Sequence, residues 1–333
     1  MPANLTPQYK AAEQRYREAR SHDDKVAALR EMMALLPKHK GTEKLQADLK
    51  SRIAKLEDES ERSHRGGAHR HDPGHVRHEG AGQWVLVGLP NSGKSALVRA
   101  LTHAHPEVAA YPFATRVPSS GMMPFEDVQI QLVDTPAFAP QHSEPYLPNL
   151  VRNADGVLWV LDVAAGEFEE SARLFEELLE HARVHPSSRA MPEDAPPFLE
   201  VRPVMVVVNK CDLDGDGTLT EILAEVIDPA LARFRVSAER GDGLDLLKQV
   251  LFDELKRVRI YTKEPGKKPD LERPFVLRAP ATVHDLALVV HKEVAGHLRY
   301  ARIWGHARFD GQQVDREHVL ADRDIVELHT GPG

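Results

Sequence analysis

GLPNSGKS, Gly88–Ser95, is the stretch that decides how this chain is read. It fits G-x-x-x-x-G-K-[ST], a loop whose backbone N–H groups cradle phosphate. QWVLV (Gln83–Val87) before it is an apolar run, and SALVRAL (Ser95–Leu101) after it has helical spacing. The loop therefore joins a buried strand to a helix N-terminus, where the helix dipole favours an anion. Nucleotide contacts are expected from Gly88, Pro90, Asn91, Ser92, Gly93, Lys94, Ser95 and Ala96. Lys94 would reach the β- and γ-phosphates, and the Ser95 hydroxyl would ligate Mg²⁺. A Gly-rich turn with no ligand fits the octapeptide alone; the motifs further along decide against it.

VQIQLVDTP (Val128–Pro136) is an apolar strand ending in Asp134, where a carboxylate holds the Mg²⁺ shell. The usual D-x-x-G reads Asp134-Thr135-Pro136-Ala137 here. Ala137 still offers its N–H to a γ-phosphate but tolerates positive φ poorly, so a peptide flip there is in doubt. VMVVVNKCD (Val204–Asp212) supplies N-K-x-D. Asp212 would accept from the N1–H and exocyclic amine of guanine. Adenine lacks that donor pair, and a site built on such bonds rejects the analogue strongly. Asn209 would tie this loop to the phosphate loop and Lys210 would lie over the base. In FRVSA (Phe234–Ala238), the Ala238 N–H would bond guanine O6 and Ser237 would orient Asp212. GTP and GDP are the ligands expected. Within YPFATRVPSSGMM (Tyr111–Met123), Thr115 is expected to bind Mg²⁺ and the γ-phosphate only in the GTP state.

Catalysis is assigned to Lys94, Thr115 and Asn91. Where a Gln after D-x-x-G orients the attacking water, this chain has Phe138, which cannot do so. Slow hydrolysis is expected unless water is positioned otherwise. The place of Asn91 resembles that of the Asn in potassium-stimulated GTPases, where K⁺ supplies charge near the β- and γ-phosphates. Two readings stand: Asn91 supports a K⁺ ion, or it only shapes the loop.

The fold class expected is α/β: a P-loop GTPase domain with a doubly wound, mostly parallel sheet, an N-terminal helical hairpin and a C-terminal β-grasp domain. Residues 1–61 form the hairpin, 62–82 a His- and Gly-rich linker, 83–260 the nucleotide domain, 261–271 a second linker and 272–333 the β-grasp unit. In the hairpin, Lys38, Lys40, Lys44, Lys50, Arg52 and Lys55 cluster. They make either a solvated helix face or a surface for rRNA. His64, His69, His71, His75 and His78 match no ordered zinc spacing. DLDGDG (Asp212–Gly217) opens like an EF-hand loop, but its twelfth position is Leu223 and Asp212 is needed for guanine.

The single cysteine, Cys211, excludes an internal disulfide, and no apolar run is long enough for a signal peptide or membrane span. A cytoplasmic location without membrane or DNA partners is the expectation. Net charge is −8, so RNA contact must come from a local patch.

With these residues in view, the chain resembles the Obg/DRG translation-factor GTPases, nearest the developmentally regulated GTP-binding proteins. PKHKGTEKLQADLKSRIAKL is similar to that group's N-terminal helical segment and YPFATRVPSSGMM to its switch I signature. ATVHDLALVVHKEV, YARIWG and HVLADRDIVELH are similar to its TGS domain, a ubiquitin-like β-grasp module. A hydrophobic residue in the Gln slot, here Phe138, is typical of the group. The resemblance implies ribosome association, slow GTPase activity and K⁺ stimulation, with rRNA met through the hairpin and TGS domain. Ala114 and Ala137 depart from the group's pattern, the stretch from Asp162 to Val204 is short for its inserted domain, and no glycine-rich Obg domain precedes the G domain. Two alternatives stay open: a nucleotide-gated adaptor that recruits a protein with negligible hydrolysis, and a regulator responding to (p)ppGpp.

Overall fold

The computed structural model describes Met32 and residues 76–102, 118–139, 144–196 and 198–331. The chain divides into two units, Met1–Asp72 and Pro73–Gly333. Of the first only Met32 is described, helical and buried. The remaining hairpin residues, most of the His-rich linker, and Ala114 and Thr115 lie outside the described residues.

In the second unit, β1 (Gln83–Val87) leads into α1 (Lys94–Thr102), then β2 (Ser119–Phe125) and β3 (Val128–Asp134). Next come α2 (Leu147–Asn153), β4 (Gly156–Asp162), α3 (Phe168–Ala182) and a small parallel pair, β5 (Val184–Pro186) and β6 (Glu200–Arg202). β7 (Val204–Asn209), α4 (Thr218–Val226), β8 (Ala232–Arg235) and α5 (Leu244–Glu254) complete the layer. The sheet runs β2-β3-β1-β4-β7-β8 and is parallel except for the β2–β3 hairpin.

β1, β4 and β7 are apolar along their lengths, with a polar residue only at one end, because both sheet faces are covered. Val85, Val87, Trp159 and Val206 pack on α2 and α3, where the Trp159 and Phe175 rings stack at 4.4 Å. Trp84, Leu86, Leu158 and Val207 face the other way, onto Leu97 and Leu101 of α1 and Leu247 and Leu251 of α5. The Trp84 indole N–H donates to Leu251 O at 3.1 Å. Gly156 is needed beside it: a Cβ there would sit 2.3 Å from the Trp84 ring. The chain passes to opposite sides of β1 after that strand, so the loop following β1 opens at a switch point of the sheet, where such folds place ligands.

A second sheet follows, ordered β10-β9-β15-β12-β13. Its strands are β9 (Arg257–Thr262), β10 (Asp270–Arg278), β12 (Leu298–Trp304), β13 (Gln312–Val314) and β15 (Ile325–Thr330), while β11 (Ala281–Thr282) and β14 (Val319–Leu320) pair separately. Helices α6 (Val283–Val290) and α7 (Lys292–His297) lie between β11 and β12. Thr282 caps α6 reciprocally: its Oγ1 accepts from Asp285 N and its own N–H donates to Asp285 Oδ2. Val258, Ile260, Leu286, Ile303 and Val326 fill the core.

The sequence reading starts this unit at residue 272; the structure starts its sheet at Arg257. RVRIYT alternates, with Val258 and Ile260 inward, so it is a strand of this sheet rather than a tail and a linker. Its outward residues grip the β2–β3 turn. Arg259, 3% exposed, donates to Glu126, to Asp127 Oδ1 at 2.8 Å and to Asp322 Oδ2 at 2.6 Å. Tyr261 donates to Asp127, Arg323 pairs with Glu126, and the Arg259 guanidinium lies 4.7 Å from the Phe252 ring centre.

Candidate functional site

The phosphate loop leaves β1 at Gly88 and enters α1 at Lys94. Two of its glycines are sterically required. A Cβ on Gly88 would lie 2.3 Å from Val160 O, and one on Gly93, whose φ is +91°, would lie 2.2 Å from Asn209 Nδ2. Asn91 also has positive φ, +63°, a conformation Asn tolerates, and it is exposed. Pro90 is half-buried in the loop and Ala96 is exposed on the first turn of α1. Leu97 N closes onto Gly93 O at 2.8 Å, which starts the helix and leaves the earlier N–H groups around the loop.

Lys94 is buried, and its ammonium donates to Gly88 O at 3.0 Å and Leu89 O at 3.1 Å. Burial pulls its pKa down to about 8, with Asp134 opposing. Ser95 Oγ donates to Asp134 Oδ2 at 2.5 Å. Asp134 Oδ1 is buried without a hydrogen-bond partner, and burial pushes the carboxyl upward. A buried carboxylate with one unpartnered oxygen beside a hydroxyl fits a hard, oxygen-seeking cation such as Mg²⁺. Such an ion would supply positive charge against the phosphates.

At the end of β7, the Asn209 amide joins three segments. Its Nδ2 donates to Ser92 O at 3.0 Å, and its Oδ1 accepts from Ala238 N at 3.1 Å. The first bond is the one N-K-x-D predicts, and the motif reading also concerns the second. It assigns the Ala238 N–H to guanine O6, whereas the structure gives that N–H to Asn209. Ser237 Oγ donates to Asp212 Oδ1 at 2.6 Å, as the orienting role requires, and holds the carboxyl below its ordinary pKa.

Lys210 has a left-handed φ of +62°, and its ammonium meets Asp162 Oδ2 at 2.6 Å. Asp162 escapes a motif search, because only the β4–β7 register, Asp162 beside Asn209, brings it here. Thr135 Oγ1 is tied to Leu86 O at 2.6 Å, fixing the turn after β3. Ala137 is half-buried and is not among the positive-φ residues. Phe138 is 2% exposed and belongs to the core cluster that includes Leu147 and Leu150. Asp214 of the EF-hand-like run caps α4, accepting from Leu219 N and Thr220 N. His78 contacts Asn153 O, and among the described residues no group of three or more His, Cys, Asp or Glu is placed to hold a metal ion. No helix among them is long and apolar enough to cross a membrane.

Comparison with known proteins agrees with this geometry. Residues 83–210 match the family described as 50S ribosome-binding GTPase, and residues 258–330 match the TGS domain. The chain is 30% identical to an uncharacterized GTP-binding protein of Halobacterium salinarum, over 92% of this chain and 98% of that one. It is 28% identical to an uncharacterized GTP-binding protein of Methanocaldococcus jannaschii, over 92% of each. With Developmentally-regulated G-protein 2 of Arabidopsis thaliana it shares 26%, over 92% of this chain and 90% of that one. The chain is a GTP-binding protein with a TGS domain, and it belongs to the family of the developmentally-regulated GTP-binding proteins.

Proposed function

We propose that this protein binds GTP with Mg²⁺ at the site built above, hydrolyses it slowly to GDP, and uses the difference to switch its association with ribosomes or rRNA. The observation that carries the reading is the Asn209 amide, which links the phosphate loop to both base-side loops. One side chain thereby makes phosphate and base recognition a single structure. Gly88, Pro90, Asn91, Ser92, Gly93, Lys94, Ser95 and Ala96 surround the phosphates. Asn209, Lys210, Asp212, Ser237 and Ala238 form the base side, with Ala238 acting through Asn209. Ser95 and Asp134 hold the cation, joined by Thr115 in the GTP state.

Slow turnover follows from Phe138, whose buried ring cannot orient water. Exposed Asn91 is available to support a K⁺ ion that offsets this loss. The ribosomal part rests on the matched family's description and on the basic cluster of the N-terminal segment. A cytoplasmic location accords with it.

Sedimentation with ribosomes and separated subunits, with GDP or a non-hydrolysable GTP analogue, tests the switch. Comigration with one particle only in the GTP state supports it, and no comigration in either state sinks the ribosomal part. Ala137 and Phe138 favour a second reading, an adaptor with negligible hydrolysis. Single-turnover assays with K⁺ and ribosomes decide between them, since any accelerated hydrolysis excludes the adaptor.

A further inference from the structure

We infer that Asp162 is a positioning residue of the base site, holding the Lys210 ammonium so that the Lys210 stem is in place before nucleotide arrives. This rests on the guanine-site reading above. β4 and β7 are parallel neighbours in a register that sets Asp162 beside Asn209, so both strand ends open on the same edge. β8 lies on the other side of β7, and Ser237 and Ala238 follow it. The ammonium is therefore drawn toward β4, while Asp212, Ser237 and Ala238 stand on the β8 side. The stem crosses the mouth between them, where a base would meet its methylene groups.

The pair is built rather than incidental. Asp162 Oδ1 accepts from Ala164 N at 2.9 Å, which fixes the carboxylate and aims Oδ2 at Lys210. Asp162 is 15% exposed and Lys210 34%, so both are partly shielded from water. Lys210 itself leaves the chain from a left-handed turn, which limits where its stem can go. A free lysine loses rotamer freedom when a ligand orders it. One already tethered has lost that freedom in advance, and the ligand binds more tightly for it.

The relation also runs the other way. Asp162 shares a cleft with Leu89, Pro90 and Ser92 of the phosphate loop. An unpaired carboxylate there would repel a di- or triphosphate, and Lys210 neutralises it. Removing the lysine charge alone should then be worse than removing both charges.

The test is the dissociation rate of fluorescent GDP and IDP from the full chain carrying Asp162→Asn, Lys210→Met or both. Asparagine keeps the acceptor for Ala164 and loses both the charge and the acceptor for Lys210. Asp162→Asn should speed GDP release by about threefold to tenfold, the range for immobilising one long side chain. IDP release should speed by the same factor, because stem packing does not read the exocyclic amine. In the Lys210→Met background, Asp162→Asn should add nothing or slow release. An unchanged or slower GDP release in Asp162→Asn overturns the inference, as does an undiminished increase in the Lys210→Met background. Failure of the unmodified chain to hold GDP would instead overturn the guanine-site reading, and this inference with it.

Discussion

Arg259 in β9 donates to Asp127 in the β2–β3 turn at 2.8 Å, across 132 positions of sequence. The guanidinium also serves Glu126 and Asp322, so one buried cation faces three carboxylates. Without that cation Glu126 keeps Arg323 and Asp127 keeps Tyr261, and the carboxylates are partly exposed, so the cost is on the scale of one or two charged hydrogen bonds, about 1.5–3 kcal/mol. Arg259→Met should therefore lower unfolding stability by about that amount in urea titrations. Arg259→Lys should recover little, since a point ammonium cannot reproduce the planar fork. Full stability in Arg259→Met would show the cluster to be energetically idle.

The same cluster sets a pH dependence. Burial works against ionisation of Asp127, but hydrogen bonds from Tyr261 and Arg259 outweigh it and hold the carboxyl below its ordinary 3.8. Asp322 is likewise lowered, its burial outweighed by Arg259. Glu126 falls below 4.5, mainly through its hydrogen bonds to Arg259 and Arg323. A carboxyl depressed in the folded state adds stability that is fully present above its unfolded pKa and lost as pH falls through the folded value. Stability should therefore hold above about pH 4.5 and fall as the solution is acidified further. The fall should be shallower in Asp127→Asn, as read by thermal unfolding across that range.

Lys94→Met should separate nucleotide affinity from stability. Affinity for GDP should drop by about two orders of magnitude or more, the scale of two charge-assisted hydrogen bonds. The unfolding midpoint of the nucleotide-free protein should not fall, because burial disfavours the ammonium that the variant removes. Titration calorimetry and thermal melts read the two. Normal affinity would refute the loop assignment.

Asp212→Asn should turn preference from GTP toward XTP, whose base exchanges the amine donor for an acceptor. Ser237→Ala keeps the carboxylate but frees it from its 2.6 Å bond. It should weaken GDP by about fivefold to tenfold, near the net worth of one hydrogen bond, without redirecting base choice. Competition binding with GTP, ITP and XTP separates the two effects. Unchanged selectivity in Asp212→Asn would remove the base-reading role.

What could be read from sequence was what is local. Gly88–Ser95, Asp134 and Asn209–Asp212 announce themselves because a strand end and its loop are contiguous in the chain. Asp162 stayed silent because its partner lies 48 positions away and only sheet register joins them. The bond from the Ala238 N–H to the Asn209 amide is invisible in the sequence, because it spans 29 positions and only folding joins its ends. β2 was legible only as a switch segment. SSGMMPF contains Gly121 and Pro124, which weaken a strand, yet it lies at the sheet edge, where proline is tolerated. β9 is hard to recognise in the sequence, because its outward Arg259 and Tyr261 find their partners on the other sheet.

The Asn209 amide has a consequence for the order in which the protein is made. Ser92 and Asn209 are 117 positions apart, and Ala238 lies 29 positions further on. A growing chain presents its phosphate loop early but has no Asn209 to brace it, and no Ala238 N–H until later still. At about 5–20 residues per second, the interval from Ser92 to Ala238 lasts roughly 7–30 seconds. The loop also waits on closure of long chain segments, which is slow beside local helix formation. During this time a nascent chain holds the signature of a nucleotide site without the bonds that join its halves. The first nucleotide can be gripped at both ends only after the chain has been extended past Ala238.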